Sequence, residues 1–404
     1  MKILVVCQYY YPEQFRINDI CETLVSLGHD VTVLTGLPNY PQGKIYQGYH
    51  WPKRKFEVIS GVKVVRVPII GRGNSFIRLA LNYVSFLLSA TVKTFFLERD
   101  FDVVFVYQLS PITMAVPALL YKKLTRKKVL LYCLDIWPES IAAAGLTQSS
   151  YIYKLLLTIS RKIYKSVDHV LVSSYSFIKY LNEVIGLELK SIKYLPQYAE
   201  KIYSLEVNHV TKKKEEEDMV NLLFAGNIGE MQSVDTIIRA AAELREIHNL
   251  KWHIVGDGSA RLKCEELVRS LGLEDKVIFY GHRPVSEMPY FFSKASALLV
   301  TLKNNEFISY TLPGKVQSYM VAGKPIIGAI NGEARRVIEE SGCGLCCDAE
   351  DYKALASIVR QFISMPEKHK EFSLNSRRYY EHNFTKDSFM NNLLTDLNQL
   401  KERC

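Results

Sequence analysis

The sequence predicts an α/β protein built from two doubly wound, Rossmann-like halves, and three observations carry that reading. The chain has 404 residues, 48% of them hydrophobic, which is more than one ordinary core takes and suits two domains. Short β-rich runs alternate with helical stretches in both halves, the pattern of a sheet wrapped by helices. The runs themselves, such as Val103-Val104-Phe105-Val106, are apolar without polar alternation, as parallel strands covered on both faces should be.

Taken in order, the first half offers a strand at Lys2–Cys7, a helix at Asp19–Leu27 and a turn at Gly28-His29-Asp30 that launches a second strand, Asp30–Leu34. Strands at Val62–Val67, Val103–Val106 and Val129–Leu134 follow. Phe76–Leu97 is apolar but interrupted by Arg78, Asn82, Ser85, Ser89 and Lys93, and reads as one long helix. It either packs on the sheet or lies partly in a membrane interface beside Arg72 and Arg78. A strand-like Ile192–Leu195 ends at Pro196, and a charged tract, Lys212 to Asp218, precedes a fresh strand. The division is therefore expected there, with domains at 1–198 and 199–383. The second half repeats the plan with strands at Asn221–Ala225, Lys251–Val255, Lys276–Tyr280, Ala297–Thr301 and Pro325–Ala329. Two such halves are expected to face an interdomain cleft, with ligands outside the carboxyl ends of the strands.

The net charge of +9 is uneven: residues 1–200 hold 24 Lys+Arg against 14 Asp+Glu, and the remainder 27 against 28. A basic first half suits anionic lipid or a diphosphate-bearing substrate; without zinc-finger spacing, an RNA-binding aromatic motif or a basic tail, nucleic acid is not expected. No window reaches the roughly 18 uninterrupted apolar residues of a spanning helix, and the N-terminus reads as a buried strand rather than a signal peptide. Eight cysteines without regular spacing point to a reducing, cytoplasmic setting. Cys343-Gly344-Leu345-Cys346 lacks the second ligand pair a zinc site needs, so no metal is expected. Neither a G-x-S-x-G elbow nor an H-E-x-x-H helix occurs, which excludes the hydrolases built on them.

Three strand–glycine–helix turns mark the second half as an anion site. Gly226-Asn227-Ile228-Gly229 follows one strand and precedes the helical Ser233–Ile247; Gly256-Asp257-Gly258 follows the next; Tyr310-Thr311-Leu312-Pro313-Gly314-Lys315 opens the helix Val316–Val321. Glycines admit a close anion and a helix start offers free N–H groups. Lys315 opposes the helix dipole, a conflict that a bound anion removes; the plain alternatives are packing turns and a solvated lysine. In the first half, Asp135-Ile136-Trp137-Pro138-Glu139-Ser140 closes a strand. Asp135 and Glu139 are the candidate catalytic carboxylates there, a helix-capping role being the alternative. Tyr11, Arg16 and Trp137 are expected to line the same crevice.

These blocks resemble family-four retaining glycosyltransferases of the GT-B fold, and more narrowly the WbuB-like enzymes of capsule, O-antigen and exopolysaccharide synthesis. The likeness rests on Ile3–Val6 with Tyr11-Pro12-Glu13, Leu27–Thr35, Leu37–Pro41, Asp135–Ser140, Phe224–Gly229, Val255–Gly258 and Ala322–Ile327, seven blocks in the family's order. The resemblance implies that the second half holds a nucleotide sugar, with UDP as the nucleotide and an N-acetylated hexosamine or deoxyhexosamine as the sugar. It also implies an acceptor, lipid-linked, in the first half, a C-terminal helix at about 384–404 crossing back onto it, no cofactor or metal, and work at the inner face of an anionic membrane.

The chain departs from the family pattern at several places. Two glutamates that meet the donor in many relatives align with Tyr310 and Ser318, and the usual Arg and Lys near the first glycine turn align with Asn227 and Gln232. Lys315 and Arg283, beside the base-binding Gly281-His282 turn, are the candidates for the missing positive charge. The resemblance also leaves two rivals, a nucleotide-sugar 2-epimerase of the same fold and a catalytically silent binding subunit.

Overall fold

In the computed structural model, described for residues 1–73, 75–143, 145–204 and 219–402, the chain forms two compact units. The first takes Met1–Leu195 and returns from Met390 onward; the second is Pro196–Phe389. The tract Lys212 to Asp218 lies outside the described residues.

Eight strands build the first sheet: β1 (Lys2–Val6), β2 (Asp30–Gly36), β3 (Phe56–Ile59), β4 (Val62–Val67), β5 (Val103–Gln108), β6 (Val129–Cys133), β7 (His169–Val172) and β8 (Ile192–Tyr194). Their order is β3-β4-β2-β1-β5-β6-β7-β8. Every pair is parallel except β3–β4. β5 and β6 are buried at every position, so no residue on either face meets water and the apolar run needs no alternation. β3 is the edge, with every second residue exposed.

The second sheet holds β9 (Val220–Ala225), β10 (Leu250–Val255), β11 (Val277–Gly281), β12 (Ala297–Thr301), β13 (Ile326–Ala329) and β14 (Gly344–Cys347). Its order, β11-β10-β9-β12-β13-β14, reverses direction between β9 and β12, as the first sheet does between β1 and β5. A crevice opens at such a reversal, where neighbouring connections leave toward opposite faces, and ligands bind at its carboxyl end. Of the C-x-x-C pair, Cys343 is buried just before β14 and Cys346 lies within it.

The helix Phe76–Thr94 is built inside out. Its inward face carries Asn82, Phe86, Ala90 and Thr94. The Asn82 carboxamide accepts from Gln8 Nε2 at 2.7 Å and donates to the Ile70 carbonyl at 2.6 Å and to Asn39 Oδ1 at 3.3 Å. Its outward face is apolar: Ile77, Leu81, Val84, Leu88 and Val92, spaced four, three, four and four residues apart, are all exposed. A helix packed on a core and facing water has the reverse pattern. The C-terminal helix, Lys386–Glu402, is pinned within the first unit by Lys193, whose amine lies 3.0 Å from both oxygens of the buried Asp396.

Candidate active site

Two constellations form, one at the reversal point of each sheet. In the second unit the loop leaving β9 and the loop leaving β10 are laced together by backbone bonds, Gly226 N to the Val255 carbonyl at 2.9 Å and Ile228 N to the Asp257 carbonyl at 2.8 Å. The approach requires glycine: a Cβ on Gly256, at φ +141°, would stand 1.8 Å from the Gly226 carbonyl oxygen. Helix Gly314–Val321 is registered onto this turn by Tyr319, whose hydroxyl accepts from Ala225 N at 3.0 Å and donates to the Ala225 carbonyl at 3.1 Å.

That registration delivers Lys315 from the first turn of the helix to the β9 loop. Its amine donates to Gln232 Oε1 at 2.6 Å and sits 4.0 Å above the centre of the Phe224 ring. Burial brings it down from the ordinary lysine range to about 7. The ring face is a weak partner for a cation, so an anion arriving at Gly226 and the helix start would meet a donor already aimed and poorly hydrated. Gln232 is itself fixed, its carbonyl accepting from the Thr301 hydroxyl at 2.6 Å at the end of β12.

The other residues expected in a donor site divide. Asn227 lies over Gly229, where a Cβ would come within 2.8 Å of its side-chain nitrogen, and belongs to the same loop. Asp257 is half exposed and pairs with Arg261 at 3.4 Å. Thr311 and Pro313 are partly exposed at the mouth of the helix, Gly314 is open, and Leu312 is buried beneath them in the core. Tyr310 turns away to Glu306, its hydroxyl donating at 2.9 Å. Ser318 is buried and its hydroxyl donates to the Gly314 carbonyl at 3.1 Å, one turn back along the helix. His282 is exposed, and Arg283 folds back to the Tyr280 carbonyl at 3.2 Å. Arg283 lines a separate cavity of about 500 Å³ with His253, Tyr280 and Tyr290, which neither Gly226–Gln232 nor Thr311–Lys315 enters.

In the first unit, Asp135 follows the carboxyl end of β6 and Ser110 that of β5. The Ser110 hydroxyl donates to Asp135 Oδ2 and lies 2.9 Å from the Ser140 hydroxyl. Gln108 fixes the loop by donating to the Asp135 carbonyl at 2.8 Å. Burial lifts the Asp135 carboxyl above its usual range, the serine hydroxyls opposing the shift. A carboxylate so placed orients a hydroxyl or takes its proton. It opens on a cavity of about 620 Å³ that Trp137, Tyr9, Tyr40, Arg72 and Tyr83 also line.

Glu139 is buried, with its Oε1 accepting from the Tyr153 and Tyr180 hydroxyls at 2.5 and 2.7 Å, and does not line that cavity; its contacts tie helix Tyr151–Ser166 to Tyr180. Tyr11 and Arg16 do not line it either. Tyr11 is exposed, and its carbonyl accepts from the fully buried Arg66 at 2.5 Å. Sequence reasoning missed Ser110; the signal was its place, Leu109-Ser110-Pro111, directly after an apolar strand at the reversal point.

Two family profiles match, glycosyl transferase 4-like domain over residues 14–196 and glycosyl transferases group 1 over residues 208–379. The chain is 24% identical over 420 residues to WcaI of Escherichia coli (strain K12), named as a colanic acid biosynthesis glycosyl transferase, covering 98% of this chain and 100% of that protein. Among solved structures it superposes on Anabaena HepE, in complex with UDP and glucose, with a TM-score of 0.70 at 14% identity over 98% of this chain and 99% of that one. WaaG, a glycosyltransferase involved in lipopolysaccharide biosynthesis, gives 0.64 at 17% identity over 94% and 95%. With both halves matched in order and the two sheets of the expected topology, the chain belongs to the family-four glycosyltransferases of the GT-B fold.

Proposed function

We propose that this enzyme transfers a sugar from a UDP-linked donor, held by the second unit, to a lipid-linked saccharide acceptor held by the first. The observation that carries the donor half is the Lys315 amine, aimed through Gln232 at a glycine turn and a helix start with no carboxylate bonded to it among the described residues. When the bond from the anomeric carbon to the diphosphate oxygen breaks, that oxygen keeps the electron pair; the helix-start amides and Lys315 stabilise the charge without a metal. The acceptor hydroxyl oxygen bonds the anomeric carbon on the face the diphosphate leaves, so configuration is retained, and Asp135 orients that hydroxyl or takes its proton.

The roles for which WcaI and WaaG are named support a place in polysaccharide or lipopolysaccharide assembly, in capsule, O-antigen or exopolysaccharide synthesis, and the UDP in HepE supports the nucleotide. The charge of the first 200 residues and the outward apolar face of helix Phe76–Thr94 support a peripheral seat on the cytoplasmic face of the membrane. A panel of nucleotide sugars, screened by thermal shift and then assayed for transfer to lipid-linked and to soluble saccharides, tests the proposal. Stabilisation by UDP sugars with faster transfer to the lipid-linked acceptor is expected. Binding without transfer or hydrolysis would favour a silent binding subunit, and preference for the soluble saccharide would overturn the acceptor reading.

A further inference from the structure

We infer that the cavity beside Asp135 seats the hydrocarbon chain of an anionic amphiphile, the lipid portion of the acceptor, with its phosphate at Arg72; this rests on the reading that the first unit holds the acceptor. The cavity measures about 620 Å³, inside the range of sites that enclose small molecules. Its walls are mostly hydrocarbon, from Leu79, Tyr83 and Leu87 of the inside-out helix, Leu109 after β5, and Ile141 and Leu156. Polar groups concentrate at Asp135, Ser110, Ser140 and Arg72.

The cavity does not end inside the unit. Phe76 and Val84 line it and are also 70% and 49% exposed, so it opens onto the apolar strip that runs along the same helix through Leu81 and Leu88. Helix Tyr151–Ser166 lines the cavity through Leu156 and itself exposes Tyr151, Ile152 and Leu155. An exposed apolar strip continuous with a cavity needs an occupant, and three features select a chain-bearing anion. A protein partner or a bilayer would cover the convex strip and leave the bore beside it empty, whereas a flexible chain fills both. Arg72, its guanidinium stacked over Tyr40 at 5.3 Å, is the one cation lining the cavity and suits a phosphate. Trp137 presents a buried indole N–H that has no partner among the described residues, a donor ready for a head-group oxygen a short way from Asp135.

The seat therefore sets which acceptors react: the chain runs toward the apolar mouth, its head group is held at Arg72, and the saccharide hydroxyl is drawn to Asp135. Titration calorimetry of the whole chain with dodecyl phosphate and with butyl phosphate, both kept monomeric, reads this directly. Burying the additional methylenes should make dodecyl phosphate bind at least about 100-fold more tightly, with a negative heat-capacity change. Ala80→Trp, on the exposed side of the helix, fills the bore and should bring the two ligands within about tenfold of each other at an unchanged melting temperature. Val84→Asp charges the mouth and should weaken dodecyl phosphate alone. Equal affinity for the two phosphates, or a preference that survives both substitutions, overturns the seat. Because no transfer is read, that failure is separate from failure of the acceptor reading, which the saccharide comparison decides.

Discussion

Nucleotide affinity should fall steeply with pH above neutrality, and the fall should belong to Lys315. In the free protein its amine, buried over Phe224 and bonded only to Gln232 among the described residues, titrates near 7 rather than at its ordinary 10.5. A diphosphate beside it favours the charged form and raises that value again. Binding above pH 7 must then take up a proton, so affinity is complete below about 7 and is lost as pH rises, by about 1.4 kcal/mol, or tenfold, per pH unit. The phosphate's own second proton leaves near pH 6, outside this window. The apo protein runs the other way: a lysine lowered by folding is a penalty at neutral pH that is relieved as pH climbs toward 10.5, so melting temperature should rise while the UDP-induced shift shrinks. The assay is calorimetry with UDP at pH 7.5 and 8.5 in buffers of different protonation enthalpy, on the wild type and on Lys315→Met, which keeps the apolar stem. The wild type should lose about tenfold in affinity between the two and take up about 0.9 proton at pH 8; the variant should show neither, with affinity at pH 7 reduced by about 1–3 kcal/mol. A flat Kd from pH 7 to 9 with no proton uptake would refute the reasoning.

Asp135→Asn keeps the Ser110 contact and removes the charge; transfer should drop by about 100-fold or more with UDP affinity intact, and full activity would make Asp135 structural. Since burial raises its carboxyl, the acid limb of the wild-type rate profile should lie above the usual carboxylate range and vanish in the variant. Gly256→Ala forces a Cβ against the Gly226 carbonyl at a positive φ, so urea unfolding should report a loss of at least about 2 kcal/mol together with weakened UDP binding. The chain should float with vesicles rich in anionic lipid at low salt and be released as salt rises, less tightly after Arg72→Glu and Arg78→Glu; equal retention by neutral vesicles would remove the electrostatic part.

The most legible strands are those buried at every position, such as β5, β6 and β12, because a parallel sheet covered on both faces writes itself as an unbroken apolar run. Those that escaped, β3, β7 and β14, are four residues each, and β3 alternates at an exposed edge as a loop also does. The turns Gly226–Gly229 and Gly256–Gly258 were visible because glycine is demanded by backbone approach, which residue type records. Direction is what a sequence does not record. Glu139 follows a strand just as Asp135 does, yet it points at tyrosines 14 and 41 residues away. Ser318 and Lys315 share one helix and differ only in which way they face. The pairing of Lys315 with Gln232 spans 83 residues, and no local pattern announces it. Arg66 is the same lesson inverted: a charge inside an apolar strand, wholly buried and bonded to Glu57 at 2.6 Å and to the Tyr11 carbonyl, ties the loop after β1 in place.

The inward polar face of helix Phe76–Thr94 also decides how deep this protein can sit. At 19 residues the helix is long and apolar enough to cross a bilayer, but a crossing would tear Asn82 from Gln8, Asn39 and the Ile70 carbonyl and leave those groups without water or protein. Each such orphaned group costs about 1–3 kcal/mol, and more in hydrocarbon. On the membrane seat proposed above, the same carboxamide that turns the apolar strip outward would therefore moor it: the helix would float at the lipid surface like a keel, immersed on one side and fastened to the hull on the other, and would not be drawn through.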